Sequence, residues 1–303
     1  MTSRCSCSTL ELNDKNSPQN CTGELPKIIW TCWFQGIKQM PLIVEECIGS
    51  WKRKNPDWEI IIVTLENASQ YVPNISPFLI RKDISWTGKS DILRLYLLEK
   101  YGGVWCDSSV FCNKSLNEWL FKNISSGFFA FQRTDRYLLS SWFLAAVQNN
   151  LVISKWKSFV DWYLSINFRN NQTVNEQRPI CASTPLGDKL TEWIDRKNIS
   201  TSIWFSWLIR RILRISPYFW IHYAFEYLYR HNSKFKGIWD NTPKIHADMP
   251  HIIQEYGMFR EDIDPQLWNN ILSKKCPVYK LSWKTNNNVL TADCLVGRLF
   301  NIS

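Results

Sequence analysis

A chain of 303 residues is long enough to bury a large core as one α/β domain, or as one domain with an added helical layer. With 45% hydrophobic and 21% charged residues, it is a globular sequence and not a disordered or fibrous one. The formal net charge of +9 calls for an anionic partner, such as a nucleotide diphosphate or an acidic membrane surface. The basic residues form no long arm, which argues against nucleic acid.

Seventeen tryptophans exceed what a core of this size requires, so some are candidates for stacking on sugar rings or bases while most fill the interior. The ten cysteines show no paired metal-finger spacing: Cys5-x-Cys7 has no second pair downstream. The sequence opens without an apolar signal run, so the thiols are read as reduced and the location as cytoplasmic. The Asn-x-Ser/Thr triplets at Asn20, Asn67, Asn74, Asn123 and Asn198 are then read as chance.

Residues 1–23 are polar and aperiodic and read as a loose tail, with a single domain over 24–303. Lys27 to Phe34 is a β-rich run closed by Gln35-Gly36. Pro41 opens a helix with Val44, Cys47, Ile48 and Trp51 on one face. Asn55-Pro56-Asp57 ends it, and Trp58 to Val63 reads as a buried strand. Strand, helix and strand in this order predict a parallel sheet.

The spacing of Ile92, Leu95, Tyr96 and Glu99 predicts a helix from about Lys89 to Lys100, stopped by Gly102-Gly103. Val104-Trp105-Cys106 restarts as a strand and delivers Asp107 to the sheet edge where parallel sheets bind ligands. Asp91 and Arg94, three apart, share a helix face. Together they can hold vicinal sugar hydroxyls, or they can form a plain surface ion pair.

Phe128–Phe131 and Trp142–Ala146 read as buried strands or an apolar helix start, and residues 151–168 and 185–197 as helices. Residues 203–229 are aromatic and apolar but are interrupted by Arg210, Arg211 and Arg214. The stretch falls short of the roughly 20 apolar residues that a spanning helix needs. It reads as a helical insertion over about 200–232, either lying in an anionic membrane interface or forming a lid.

Four segments together resemble the capsular polysaccharide synthesis proteins, retaining glycosyltransferases with a DXD-type sugar-binding region. They are Pro26–Gly36, Ser50–Trp58, the block from Lys89-Ser90-Asp91-Ile92-Leu93-Arg94 through Tyr101-Gly102-Gly103-Val104-Trp105-Cys106-Asp107, and Tyr279-Lys280-Leu281-Ser282-Trp283-Lys284. The fungal initiating mannosyltransferases and the clostridial glucosylating toxins look similar across the third block. The match is dense only to about Leu116.

The resemblance implies a GT-A-type nucleotide-sugar-binding α/β sandwich with a mainly parallel sheet and added helices in the C-terminal half. It implies transfer of a hexose from a nucleotide-diphosphate sugar to a saccharide or lipid-linked saccharide acceptor, with retention, in surface polysaccharide synthesis at the inner face of a membrane. Carried over by position, Trp33 would stack on the base, and Asp91 and Arg94 would hold the donor sugar. Trp105, Asp107 and Ser109 would lie by the ribose and diphosphate, and Ser282 and Trp283 would close over the phosphates. Asp107 would hold Mn²⁺ or Mg²⁺, with Ser109 and His222 as further candidate ligands. Ser109 stands where the fuller motif has a second Asp, which weakens the metal set. That gap also leaves open a catalytically silent carbohydrate-binding protein. A sugar-phosphate transferase of the same pathway is a further alternative.

Overall fold

The computed structural model describes residues 23–82, 84–133, 137–165, 185–197, 199–213, 216–285 and 290–301. The tail expected over 1–23 falls almost wholly outside them. Helices of seven residues or more are numbered below.

A five-stranded sheet carries the fold. Strand β1 (Ile28–Cys32) leads through helix α1 (Leu42–Lys54) to β2 (Glu59–Val63), which pairs with β1 in parallel. Helix α2 (Trp86–Tyr101) returns the chain to β3 (Gly103–Cys106) on the other side of β1, again in parallel. After β4 (Val110–Cys112) come β5 (Phe128–Gln132) and β6 (Leu139–Ala146). The order is β2-β1-β3-β6-β5, and β6 is antiparallel to both of its neighbours. Four of the five strands therefore run the same way, as expected of a mainly parallel sheet.

Both faces of the sheet are covered, so its side chains alternate between two apolar layers and not between core and water. Trp30, Trp105 and Leu144 face one layer; Ile29, Val104, Cys106, Phe143 and Ala145 face the other. The first layer is built by α2, α3 (Leu151–Leu164) and α5 (Trp220–His231), with α4 (Pro185–Arg196) beside them.

Helix α2 begins at Trp86, three residues before the sequence periodicity, because the Ser85 hydroxyl caps it by accepting from the Gly88 amide at 3.0 Å. Its end explains the double glycine. Gly102 and Gly103 have φ of +68° and +91°, and a Cβ on Gly103 would stand 2.5 Å from the Ile28 carbonyl oxygen. Only residues without side chains let the helix stop and β3 lie against β1 within two positions.

The stretch 203–229 is not one helix. A short 3-10 turn (Thr201–Phe205), a π-helical segment (Leu208–Leu213) and α5 follow one another. Pro217 lies between the last two and cannot continue a helix. Trp204 is fully buried and stacks on Tyr223, while Trp207, Leu208, Ile212 and Leu213 are at least half exposed. Arg210, one of the arginines that interrupt the stretch, is buried over the Trp162 ring at 3.9 Å. Arg214 lies outside the described residues. Among the described residues, no helix is long and apolar enough to cross a membrane.

The C-terminal part adds α6 (Ser233–Asn241), α7 (Asp248–Tyr256) and α8 (Pro265–Leu272), then β7 (Val278–Lys280) and α9 (Leu295–Asn301). Strand β7 pairs antiparallel with β4 as a separate two-stranded sheet, with Val110 opposite Lys280. Sequence patterning showed neither this pairing nor α6 to α8.

Candidate active site

The site forms where β3 ends. Asp107 follows the last residue of β3, and its amide donates to the Trp142 carbonyl of β6 at 2.9 Å. Its own carbonyl accepts from the Val110 amide at 2.9 Å, closing a tight turn that starts β4. The turn turns the Asp107 carboxylate out of the sheet edge, where it remains about a quarter exposed.

Arg94 reaches this carboxylate from α2. Its Nη2 lies 3.1 Å from Asp91 Oδ1 and 3.3 Å from Asp107 Oδ1, while Nη1 donates to the Ser141 carbonyl of β6 at 2.7 Å. The guanidinium also sits 5.1 Å from the Trp105 ring, whose Nε1 donates to Asp107 Oδ1 at 3.1 Å. Asp91 and Arg94 are therefore not a surface pair. Both are almost wholly buried, and Arg94 ties α2, β3 and β6 together. Buried charges of this kind are tolerated only when paired and hydrogen-bonded.

The second oxygen of Asp107 belongs to Lys280. The antiparallel register of β4 and β7, fixed by the Leu281 amide donating to the Ser109 carbonyl at 2.8 Å, brings the lysine across the turn. Its Nζ lies 3.0 Å from Asp107 Oδ2 and 2.9 Å from Ser109 Oγ. Lys280 was not singled out from the sequence. The signal lay in Ser109: a carboxylate that has lost its acidic neighbour leaves room for a cation.

Electrostatics separate the two carboxylates. Burial raises the Asp91 pKa to about 6; Arg94 pulls it down and Asp107 pushes it up. Burial also acts on Asp107, but Lys280 and Arg94 outweigh it and hold Asp107 below the usual carboxylate range. His222 on α5 packs at 4.2 Å between ring centres on Tyr137. Desolvation, reinforced by Arg94, holds its pKa at about 3, so the imidazole is neutral. Its buried Nδ1 has no hydrogen-bond partner among the described residues.

The remaining expected residues lie along the same edge. Trp33 follows β1, is nine-tenths covered, and meets the exposed Trp283 edge-on at 5.6 Å. The Ser282 hydroxyl accepts from the Lys284 amide at 3.2 Å in the turn after β7. Asp91, Arg94, Trp105, Asp107 and Ser109 are thus in one cluster with Lys280, and Trp33 meets Trp283 at the end of β1.

The fit of a divalent cation can be tested on these donors. Among the described residues, no three His, Cys, Asp or Glu side chains stand together as a metal set. Asp107 is the lone accessible carboxylate beside Ser109, and both already accept from Lys280. A doubly charged ion on Asp107 about 4 Å from the ammonium would meet repulsion of order 8 kcal/mol at an effective dielectric of about 20. The residues as arranged do not fit Mn²⁺ or Mg²⁺.

Comparison with known proteins shows what the chain is similar to. The chain is 29% identical over 118 residues to the glycosyltransferase afumC of Aspergillus fumigatus, covering 35% of this chain and 30% of that protein. It is 27% identical over 150 residues to the O-glycosyltransferase braB of Annulohypoxylon truncatum, covering 43% and 36%. It is 28% identical over 107 residues to inositol phosphoceramide mannosyltransferase 3 of Schizosaccharomyces pombe, covering 33% and 29%. The matches span about a third of the length of these curated relatives. The PaToxG glycosyltransferase structure aligns at a TM-score of 0.33 and 15% identity, over 65% of this chain and 87% of that one, too loose a likeness to carry an argument. The family described as capsular polysaccharide synthesis protein matches residues 4–172 and 196–299, and the chain belongs to that family.

Proposed function

We propose that this chain is a glycosyltransferase that moves a hexose from a nucleotide-diphosphate sugar to a saccharide or lipid-linked saccharide acceptor, with retention, in the making of a surface polysaccharide. The observation that carries the reading is the convergence of Arg94 and Lys280 on Asp107 at the C-terminal end of β3. Cations and a carboxylate at the carboxyl edge of an α/β sheet suit a ligand that is a polyol at one end and a diphosphate at the other.

In this reading Asp91 and Arg94 form the wall against which donor-sugar hydroxyls are held. Trp33 and Trp283 flank the base, and Ser282 lies toward the phosphates. As the bond from the anomeric carbon to the phosphate oxygen breaks, its electron pair stays on the diphosphate. The acceptor hydroxyl oxygen forms the new bond, and its proton passes to the departing phosphate oxygen. Both site carboxylates are engaged by Arg94, which favours this same-face route over one that needs a free base on the far side.

The exposed Trp207, Leu208, Ile212 and Leu213 form an apolar crest on a strongly basic chain, which suits peripheral contact with an anionic membrane.

The test is thermal stabilisation of the protein by a panel of nucleotide sugars, followed by release of nucleoside diphosphate in the presence of saccharide acceptors. Stabilisation by one donor with turnover is the expected result. A protein that ignores every nucleotide sugar but binds polysaccharide would be a silent binding member.

A further inference from the structure

We propose that the Lys280 ammonium does at this site what a divalent cation does where two carboxylates hold one: it receives the diphosphate of the donor and neutralises the charge left on it. The proposal rests on the donor-site reading above and concerns which group carries the positive charge.

Position is the first argument. Nζ lies between Asp107 Oδ2 at 3.0 Å and Ser109 Oγ at 2.9 Å, the two positions that would flank a metal in a two-carboxylate motif. Ser109 matters here because its hydroxyl can accept from an ammonium without adding a charge. A second aspartate would leave the pocket net acidic and suited to a divalent ion; serine leaves one carboxylate against one lysine.

Valence is the second argument. An ammonium has three donors and no acceptor. Among the described residues two are used, on Asp107 and Ser109, which leaves one for a phosphate oxygen. The Lys280 side chain is mostly covered but not sealed, at 17% exposure, so that this last donor can meet a ligand. Asp107 then acts as the anchor that fixes the lysine.

Rigidity is the third argument. Lys280 is the last residue of β7 and stands opposite Val110 in the β4 ladder, so its backbone is held by strand pairing. A charge fixed in advance stabilises a leaving group without the reorganisation that a mobile lysine would need. No proton or electron leaves the lysine during transfer, because the acceptor proton goes to the departing phosphate oxygen.

The experiment is calorimetric titration of the metal-stripped protein with UDP, GDP, ADP and dTDP, in EDTA and again in Mn²⁺ or Mg²⁺. One diphosphate should bind in EDTA with affinity within about threefold of that in metal. Lys280→Met should weaken it at least tenfold while the melting curve stays cooperative, and Lys280→Arg should restore most of the loss. The double change Ser109→Asp with Lys280→Ser should bind the same diphosphate only when Mn²⁺ is present. Binding by the unaltered protein that vanishes in EDTA would overturn the proposal and leave the donor site standing, a result that does not depend on how any variant folds. Failure to bind any nucleotide in either medium would remove the donor site itself, and this proposal with it.

Discussion

Lys280 and Asp107 are 173 positions apart in the chain and meet in a 3.0 Å ion pair at the mouth of the site. Asp107 has Arg94 on its other oxygen. One carboxylate thus organises two cations from distant parts of the chain.

Replacing Asp107 by Asn keeps the size of the side chain and removes the charge that holds both cations in place. Transfer should fall by at least about a hundredfold, the scale on which electrostatic site groups act. The fold should survive with a loss of about 1–3 kcal/mol, since one partner of a part-exposed network is removed. Turnover of the purified variant, set beside its urea denaturation curve, checks both. Wild-type turnover would remove Asp107 from the site.

Arg94→Met is expected to behave differently. It leaves Asp91 buried without its cation and frees the Ser141 carbonyl, so destabilisation of about 3–5 kcal/mol is expected. Chemical denaturation at pH 7 measures this. A loss under 1 kcal/mol would mean that the guanidinium contributes to ligand binding more than to the scaffold.

Asp91 gives a pH signature. Its folded pKa of about 6 lies above the ordinary 3.8, so between these values the folded protein binds more protons than the unfolded chain. Stability should therefore fall as pH rises through this window, by up to about 3 kcal/mol in total. Asp91→Asn cannot titrate there. The difference in unfolding free energy between the two proteins, plotted from pH 4 to 7, should slope in favour of the variant. Parallel curves would show that Asp91 is already ionised in the fold.

The two glycines at the end of α2 can be set against a third. Gly103→Ala would press a Cβ against the Ile28 carbonyl at positive φ and should cost about 2–4 kcal/mol. Gly237→Ala in α6 meets open space and should gain about 0.5–1 kcal/mol. Melting temperatures of the two variants should move in opposite directions.

Trp207 and Trp204 separate membrane contact from packing. Trp207→Ser should leave stability within about 0.5 kcal/mol and reduce sedimentation with vesicles rich in anionic lipid. Trp204→Ser should cost about 3–5 kcal/mol through the lost core contacts. Unchanged sedimentation of the Trp207 variant would assign the crest to something other than lipid.

The first half of the fold was legible because its signals are local. Hydrophobic runs placed β1, β2 and β3, and Gly102-Gly103 marked a backbone that no other residues could follow. Asp91 and Arg94 were visible by spacing, but their burial was not, since spacing carries no information about depth. Lys280 escaped because strand β7 has three residues and its partner lies far upstream; no period or cap announces such a pairing. The division of residues 203–229 into separate helical pieces is not announced by their aromatic content; Pro217 marks one of the breaks.

The pairing of β7 with β4 also sets an order of events. While the chain is being synthesised, the turn at Asp107 stays without its lysine until residue 280 has emerged. A nascent or truncated chain ending before β7 would carry the whole Ser-Asp-x-x-Arg and Gly-Gly signature and still lack one of its two site cations. If Lys280 receives the diphosphate as proposed, competence for it arrives only with β7.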